Sequence, residues 1–256
     1  MKLWEPLYAL LTDPLDSIRE LACWVCGTAV QNNPQSQSAF LELKPIPTLL
    51  ALISTTSTLK VPHDFNVPNL PPSSEQTRSR AIYCLSSTLK HNLNAIASLS
   101  QQDSWGWKVL SAALSDPSII IRRKVAFLLS SLLLGVPTPG DLPSTGIAEF
   151  GAPAPSAPLD GMVESGIPST LLQSLDPTSH VIPASGPNAD GVASHEDADY
   201  REKACRVLIA LLERKGLKDE DKQAFKALWQ SWKKGGFEES VGLSEEEGKM
   251  VDSWLA

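Results

Sequence analysis

One helix signature is written four times in this chain, and the repetition limits the fold more than any other feature. The copies begin at Arg19 (RELACWVCGTAV), Arg78 (RSRAIYCLSSTL), Arg122 (RRKVAFLLSSLL) and Arg201 (REKACRVLIALL). Each follows a shorter apolar segment: LWEPLYALL, IPTLLALI, GWKVLSAAL or IPSTLLQSL. Self-similar helix pairs cannot bury their apolar faces alone. Stacked, they form a solenoid in which each unit touches its neighbours. The expected fold is therefore all-α, a right-handed armadillo-like superhelix (alpha solenoid) of about four repeats. The arginines stand 59, 44 and 79 residues apart. The middle value is close to an armadillo or HEAT period, and the others are that period plus insertions.

Punctuation along the chain gives the boundaries. Asp13-Pro14 and Asp116-Pro117 fall at the same place in two copies, and Asp-Pro favours a turn over a helix. A long helix is expected from about Ser17 to Gln31, ended by Asn32-Asn33-Pro34. Residues 54–75, 136–160 and 178–196 are rich in Ser, Thr, Pro and Gly without a helical period, and read as mobile inserts. The repeat domain is thus expected over 1–216. Residues 217–256 carry two further helical patterns, around Trp229 and Trp254, and read as an acidic helical C-terminal cap.

At 42% apolar content, 256 residues suffice for a sizeable core. Net charge is −7, but residues 76–134 hold seven cations (Arg78, Arg80, Lys90, Lys108, Arg122, Arg123 and Lys124) against Asp103 and Asp116 alone. A basic middle in an acidic chain points to a local electrostatic footprint, with no nucleic-acid partner. No apolar stretch is long enough to cross a bilayer, and MKLWEPLYALLTDP lacks the layout of a signal peptide. A cytoplasmic location follows as the expectation. The four cysteines are then expected as thiols.

Helical periodicity predicts which face is free. With Ala22, Ala81 and Val125 set on the core side, Val25, Cys26, Ala29 and Val30 are expected in the core, as are Cys84, Leu85, Thr88 and Leu89. Trp24, Gly27, Thr28 and Gln31 point away, as do Tyr83, Ser86, Ser87 and Lys90, and Phe127, Ser130, Ser131 and Leu134. Three successive helices therefore place an aromatic beside two small residues, a ladder able to accept a partner's backbone and ring area. Packing of these aromatics on the next helix pair is the structural alternative. Arg80 and Lys124 flank the stripe. Arg122-Arg123-Lys124 opens a helix, where cations oppose the helix dipole, so a binding role competes with a merely solvated face. The fourth copy carries Arg206 at the aromatic position, and the groove is expected to end there.

Nothing in the sequence supports catalysis. Cys23-x-x-Cys26 has no second pair or histidine at zinc-ligand spacing, and Cys26 is in register with leucines, so both read as buried structural thiols. His63, His180 and His195 lie in expected loops and His91 follows a helix end. The acidic run after His195 suits helix initiation, with Asp199 at the N-terminus, better than metal binding. There is no phosphate loop, dinucleotide fingerprint or nucleophile elbow. No catalytic residue, metal or cofactor is assigned.

The segment LWEPLYALLTDP…SIRELACWVCGTAVQNNPQSQSAFL resembles the Fes/HspBP family of armadillo nucleotide exchange factors, whose partner is the seventy-kilodalton, DnaK-type heat-shock chaperone. GTAVQNNPQSQ, residues 27–37, is the most specific match. QTRSRAIYCLSSTLKHN and IIIRRKVAFLLSSLL fit the family's second and third long helices. The Pro-rich inserts and the C-terminal extension look like the fungal cytosolic branch. The likeness is good over about 1–134 and weaker beyond, and Met1 stands almost against a segment that family members precede with a helical region. The resemblance implies a co-chaperone without enzymatic activity. It would bind the chaperone's ATPase domain as a monomer, with no membrane or nucleic acid involved, and promote ADP release. On this reading the partner-binding residues are Trp24, Gln31, Asn32, Asn33, Arg80, Tyr83, Ser87, Arg123, Lys124, Phe127 and Ser131. The alternative is an armadillo scaffold that holds an extended peptide in the same groove.

Overall fold

The computed structural model describes residues 3–54, 60–65, 67, 69–134, 157–179, 189–234, 241 and 243–256. Among them there are helices and no strand. The first repeat is the short α1 (Trp4–Leu10) and the long α2 (Asp16–Val30). The next three are triplets, a finer unit than the pairs expected. They comprise α3 (Pro34–Leu41), α4 (Pro45–Ile53) and α5 (Glu75–Leu89); α6 (Leu93–Ala97), α7 (Gln101–Ala113) and α8 (Ile119–Leu134); and α9 (Ala157–Glu164), α10 (Ile167–Leu175) and α11 (Ala198–Glu213). The long helices stack in order, α2 on α5, α5 on α8 and α8 on α11. Their inner sides form one core with the shorter helices, built on Leu49, Leu85, Trp107, Leu129 and Leu208. The chain ends in α12 (Asp219–Lys234) and α13 (Glu245–Leu255), which pack on α10 and α11 respectively and on each other.

The triplets arise from a repeated corner. After α2, Asn32 takes a left-handed conformation (φ 54°) and Asn33 caps α3, its side chain accepting the Ser36 amide. After α5, His91 (φ 56°) and Asn92 do the same for α6, with the Ala95 amide as donor. Asn tolerates the left-handed region better than most residues, and the Asn cap satisfies an otherwise unpaired amide.

The signature arginine fastens one repeat to the next. Arg19, Arg78 and Arg122 are all buried. Arg19 donates to the Asp13 and Pro14 carbonyls and to Asp16, and reaches toward the Pro72 carbonyl of the following repeat. Arg78 makes a two-pronged contact with Asp116 of the following repeat (2.9 and 3.0 Å) and donates to the Ser73 carbonyl. Arg122 donates to Ser194 Oγ (2.5 Å), the Val192 carbonyl and Asp190. A planar, always-charged fork suits such sites, where several oxygens converge and lysine could satisfy fewer of them.

Several expectations shift. Of the inserts, residues 55–59, 66, 68, 136–156 and 180–188 lie outside the described residues. The described remainder belongs to the fold: 157–160 open α9, Phe65 packs on Trp105, and 190–194 hold Arg122. Val25 and Ala29, expected in the core, are exposed, because no long helix among the described residues packs on the side of α2 away from α5. Gly27, Ser87 and Ser130, expected on the surface, are buried because each long helix is packed over a wider arc than a single stripe. Asp197, not Asp199, caps α11, its carboxylate accepting the Tyr200 amide. Cys23 and Cys26 lie in the core as thiols, and burial pushes the Cys26 thiol up to about 11.

Candidate functional site

The exposed edges of α2, α5 and α8 form one strip, held together by contacts between repeats. The Arg80 guanidinium carbon lies 4.4 Å from the centroid of the Trp24 ring, a cation–π stack that fixes both side chains. Tyr83 donates its hydroxyl to Gln31 Oε1 at 3.0 Å. Lys90 donates to Asn32 Oδ1 at 3.2 Å. Tyr83 lies flat along Gly27, where an added Cβ would come within 2.8 Å of the ring. Glycine is needed there for close approach, in the middle of a helix where it otherwise destabilises.

The segment with the most specific family likeness thus has a physical role. Between residues 27 and 37, Gly27 seats Tyr83, Gln31 and Asn32 bind side chains on α5 and its C-cap, and Asn33 caps α3. Gln37 donates to the Ser87 and Lys90 carbonyls, closing the exposed end of α5. It is a clasp between the first two repeats. The role of Gln37 and of the buried arginines was not foreseen; a polar residue three or four positions after an Asn-Pro cap, in register with a helix end, was the available signal.

The basic middle is smaller than its sequence. Arg78 and Arg122 are buried and paired. Arg123 forms a two-pronged pair with Asp197 and lies 3.6 Å from Asp199. Lys108 pairs with Asp103. The cost of opening α8 with cations is offset by these acids on the next repeat, which corrects the case for Arg123 as a surface cation awaiting a partner. Arg80, Lys90 and Lys124 remain. Among the described residues neither Arg80 nor Lys124 has a carboxylate partner. Burial pushes the Lys124 amine below the usual lysine range, and the neighbouring Arg80 charge pushes it further the same way. Two like charges held together in a half-buried position favour a negative group between them.

The other expected residues divide. Phe127 is exposed, next to Lys124 on α8, with Ile120 exposed one heptad before it and Leu134 one heptad after it on the same helix. Trp24 and Tyr83 are also accessible. Ser131 donates to the Leu128 carbonyl and is half-buried. Ser87 is buried, with its carbonyl engaged by Gln37, and cannot meet a partner as expected. The oxygen of Asn33 is occupied by its capping contact. In the fourth repeat Arg206 lies between Glu202 (3.1 Å) and Glu247 of α13 (3.7 Å). No group of three or more His, Cys, Asp or Glu that could hold a metal occurs among the described residues. None of their helices is long and apolar enough to cross a membrane.

No protein-family model matches the chain. A protein of Mycosarcoma maydis named Hsp70 nucleotide exchange factor FES1 is 34% identical over 243 residues, covering 82% of this chain and 57% of that protein. The protein of the same name from Cryptococcus neoformans is 32% identical over 239 residues, covering 90% of this chain and 56% of that one. The chain therefore spans a little over half the length of these curated relatives. Among solved structures, a designed armadillo repeat protein in complex with the peptide (KR)4 superposes with a TM-score of 0.56 at 15% identity, covering 98% of this chain and 80% of that one. This last likeness is one of fold. An all-α armadillo-like solenoid, the chain is by sequence a relative of the fungal Hsp70 nucleotide exchange factors of the FES1 type.

Proposed function

We propose that this chain is a co-chaperone that binds the ATPase domain of Hsp70 through the Trp24–Tyr83–Phe127 strip and promotes release of ADP. The observation that carries the reading is sequence similarity to the FES1 exchange factors across most of the chain. The strip supplies chemistry that agrees with it. Arg80 and Lys124 offer two half-buried cations without acid partners among the described residues, flanked by accessible rings, and so suit a folded surface bearing carboxylates.

The mechanism is one of coupled equilibria. The armadillo surface grips one lobe of the ATPase domain, and its bulk displaces the other, favouring the open nucleotide cleft. ADP favours the closed one. Each ligand then weakens the other by the same factor, so ADP must lower affinity for this chain as much as the chain lowers affinity for ADP. No bond is made or broken by the chain, and it is not an enzyme on this reading. The chain acts in the cytosol, where the fungal cytosolic branch that it resembles meets its chaperone.

The test is release of a fluorescent ADP analogue from the isolated Hsp70 ATPase domain at increasing concentrations of the chain. Acceleration that saturates, with ADP weakening the complex in a separate binding titration, is expected. Binding to a linear acidic peptide with no effect on the ATPase domain would replace this reading with the scaffold one.

A further inference from the structure

Most described lysines of this chain are either paired or open to water. Lys108, Lys203, Lys233 and Lys249 each lie on a carboxylate, and Lys90 donates to Asn32. Lys44, Lys215, Lys218 and Lys234 are exposed. Lys124 is in neither state. It is half-buried on α8 and makes no hydrogen bond or ion pair among the described residues. Its Nζ is not one of the buried unpartnered atoms, so it reaches solvent.

A fixed cation stands beside it. Arg80 and Lys124 hold the same place in the repeat, one residue before Ala81 and Val125, on helices that pack together. The Trp24 ring, 4.4 Å from the guanidinium carbon, keeps Arg80 in position. Phe127, three residues along α8, presents an exposed ring on the same face as Lys124. The acids that α11 brings to this region are already occupied: Asp197 by Arg123, Asp199 by Arg123 and Lys203, and Glu202 by Arg206. Burial therefore pushes the Lys124 amine down with no carboxylate to restore it, and the Arg80 charge adds to the effect. A desolvated lysine beside a second cation is the setting in which an amine becomes a nucleophile near neutral pH.

We propose that Lys124 is an acylation site, activated by Arg80, whose reagent is a small acyl thioester. The neutral Nζ attacks the thioester carbonyl carbon. A C–N bond forms, the C–S bond breaks, and the sulfur leaves as a thiolate. The proton lost by the nitrogen goes to the thiolate or to water. The products are an amide and a thiol, and no oxidant or reductant is consumed. The amide is uncharged, so the modification removes one cation of the strip and ends its repulsion with Arg80. On the chaperone reading acylation weakens binding, but the modification itself does not rest on that reading.

The experiment is incubation of the folded chain with acetyl-coenzyme A, the acetylated lysines being followed in time by peptide mass mapping. At about pH 7.5 an ordinary lysine, with a pKa of about 10.4, is almost wholly protonated, so the neutral fraction decides which amine reacts. Lys124 is expected to react at least about threefold faster than the exposed Lys218 and Lys234. Arg80→Gln is expected to remove most of this advantage without loss of helical circular dichroism. Should that variant unfold, Trp24→Leu, which frees Arg80 from its stack, reads the same cluster. In guanidinium chloride the advantage is expected to vanish, because Arg80 and Lys124 no longer stand together while Arg122 and Arg123 remain adjacent in sequence. A Lys124 rate no higher than that of the exposed lysines in the folded parent overturns the proposal. An advantage that persists in denaturant, or in folded Arg80→Gln, overturns it as well, since the reactivity then comes from the neighbouring sequence or from burial alone.

Discussion

Arg78 and Arg80 stand two residues apart on α5 and belong to opposite parts of the molecule. Arg78 is 2% exposed, with its guanidinium on Asp116 of the next repeat and on the Ser73 carbonyl. Arg80 turns outward over Trp24 and has no carboxylate among the described residues. On α8 the same division separates Arg122, held by Ser194, Asp190 and the Val192 carbonyl, from Lys124. One set of cations joins the repeats, and the other is the set proposed to meet the chaperone. Runs of basic residues therefore do not measure a binding surface; what each cation already touches does.

The sharpest way to break this comparison is at the seam. Arg78→Ala leaves Asp116 in the core without its cation, and burial already pushes that carboxyl up against the pull of the Ser118 amide and of Arg78. Removing one partner of a buried pair costs about 3–5 kcal/mol. Urea unfolding should show a loss of that size, with no more effect on chaperone binding than the loss of folded protein explains. A stable Arg78→Ala variant with weakened binding would place Arg78 in the strip.

At the strip the effects should reverse. Arg80→Glu with Lys124→Glu should lower affinity for the ATPase domain by about 2–5 kcal/mol if both cations meet carboxylates there. Stability should fall only slightly, since the change exchanges one like-charge repulsion for another and loses the Arg80–Trp24 stack, both near the surface. Acceleration of ADP release by the folded double variant, equal to that of the parent, would reject the strip as the binding surface.

What was legible in the sequence follows the same division. The repeat, its long helices and the Asn-Pro corner were plain because periodicity and capping are local. The aromatic ladder was legible as well, since Trp24, Tyr83 and Phe127 all reach the surface. The fate of each cation was not, because Asp190 and Asp197 lie 68 and 74 residues from the arginines they meet. Nor was the exposure of Val25, which depends on which described helices pack on α2 rather than on its own residue type. Ser87 was misplaced because each long helix packs over a wider arc than one stripe, and its carbonyl is engaged by Gln37, fifty residues earlier.

Asn33 gives a smaller and cleaner distinction. As a cap its replacement by Ala should cost about 1 kcal/mol of stability. Asn92→Ala, at the equivalent corner of the next repeat, should cost a similar amount. Affinity for the chaperone should be unchanged by either. If Asn33→Ala loses affinity and Asn92→Ala does not, Asn33 contacts the partner and the cap is not its whole role.

The smallest expected effect lies at the border of the two sets. Arg123 is about a third exposed, so its pair with Asp197 is screened by water and should contribute about 0.5–1 kcal/mol near neutral pH. The hydrogen bond from Arg123 holds the Asp197 carboxyl below the usual carboxylate range, helped by the Tyr200 amide and opposed by burial. A folded-state value below the unfolded one, about 3.9 for Asp, means that the stabilisation is present above that pH. It is lost as pH falls through the lower folded value. Arg123→Ala removes the largest of the lowering causes and brings the folded and unfolded values together. The stability gap between parent and variant should therefore be full at pH 7, narrow below about pH 4, and close once both states bind the proton. Chemical denaturation at a series of pH values reads it directly. A gap that stays constant down to the acid limit would mean that Arg123 acts through packing of its side chain, and that its charge is available to a partner after all.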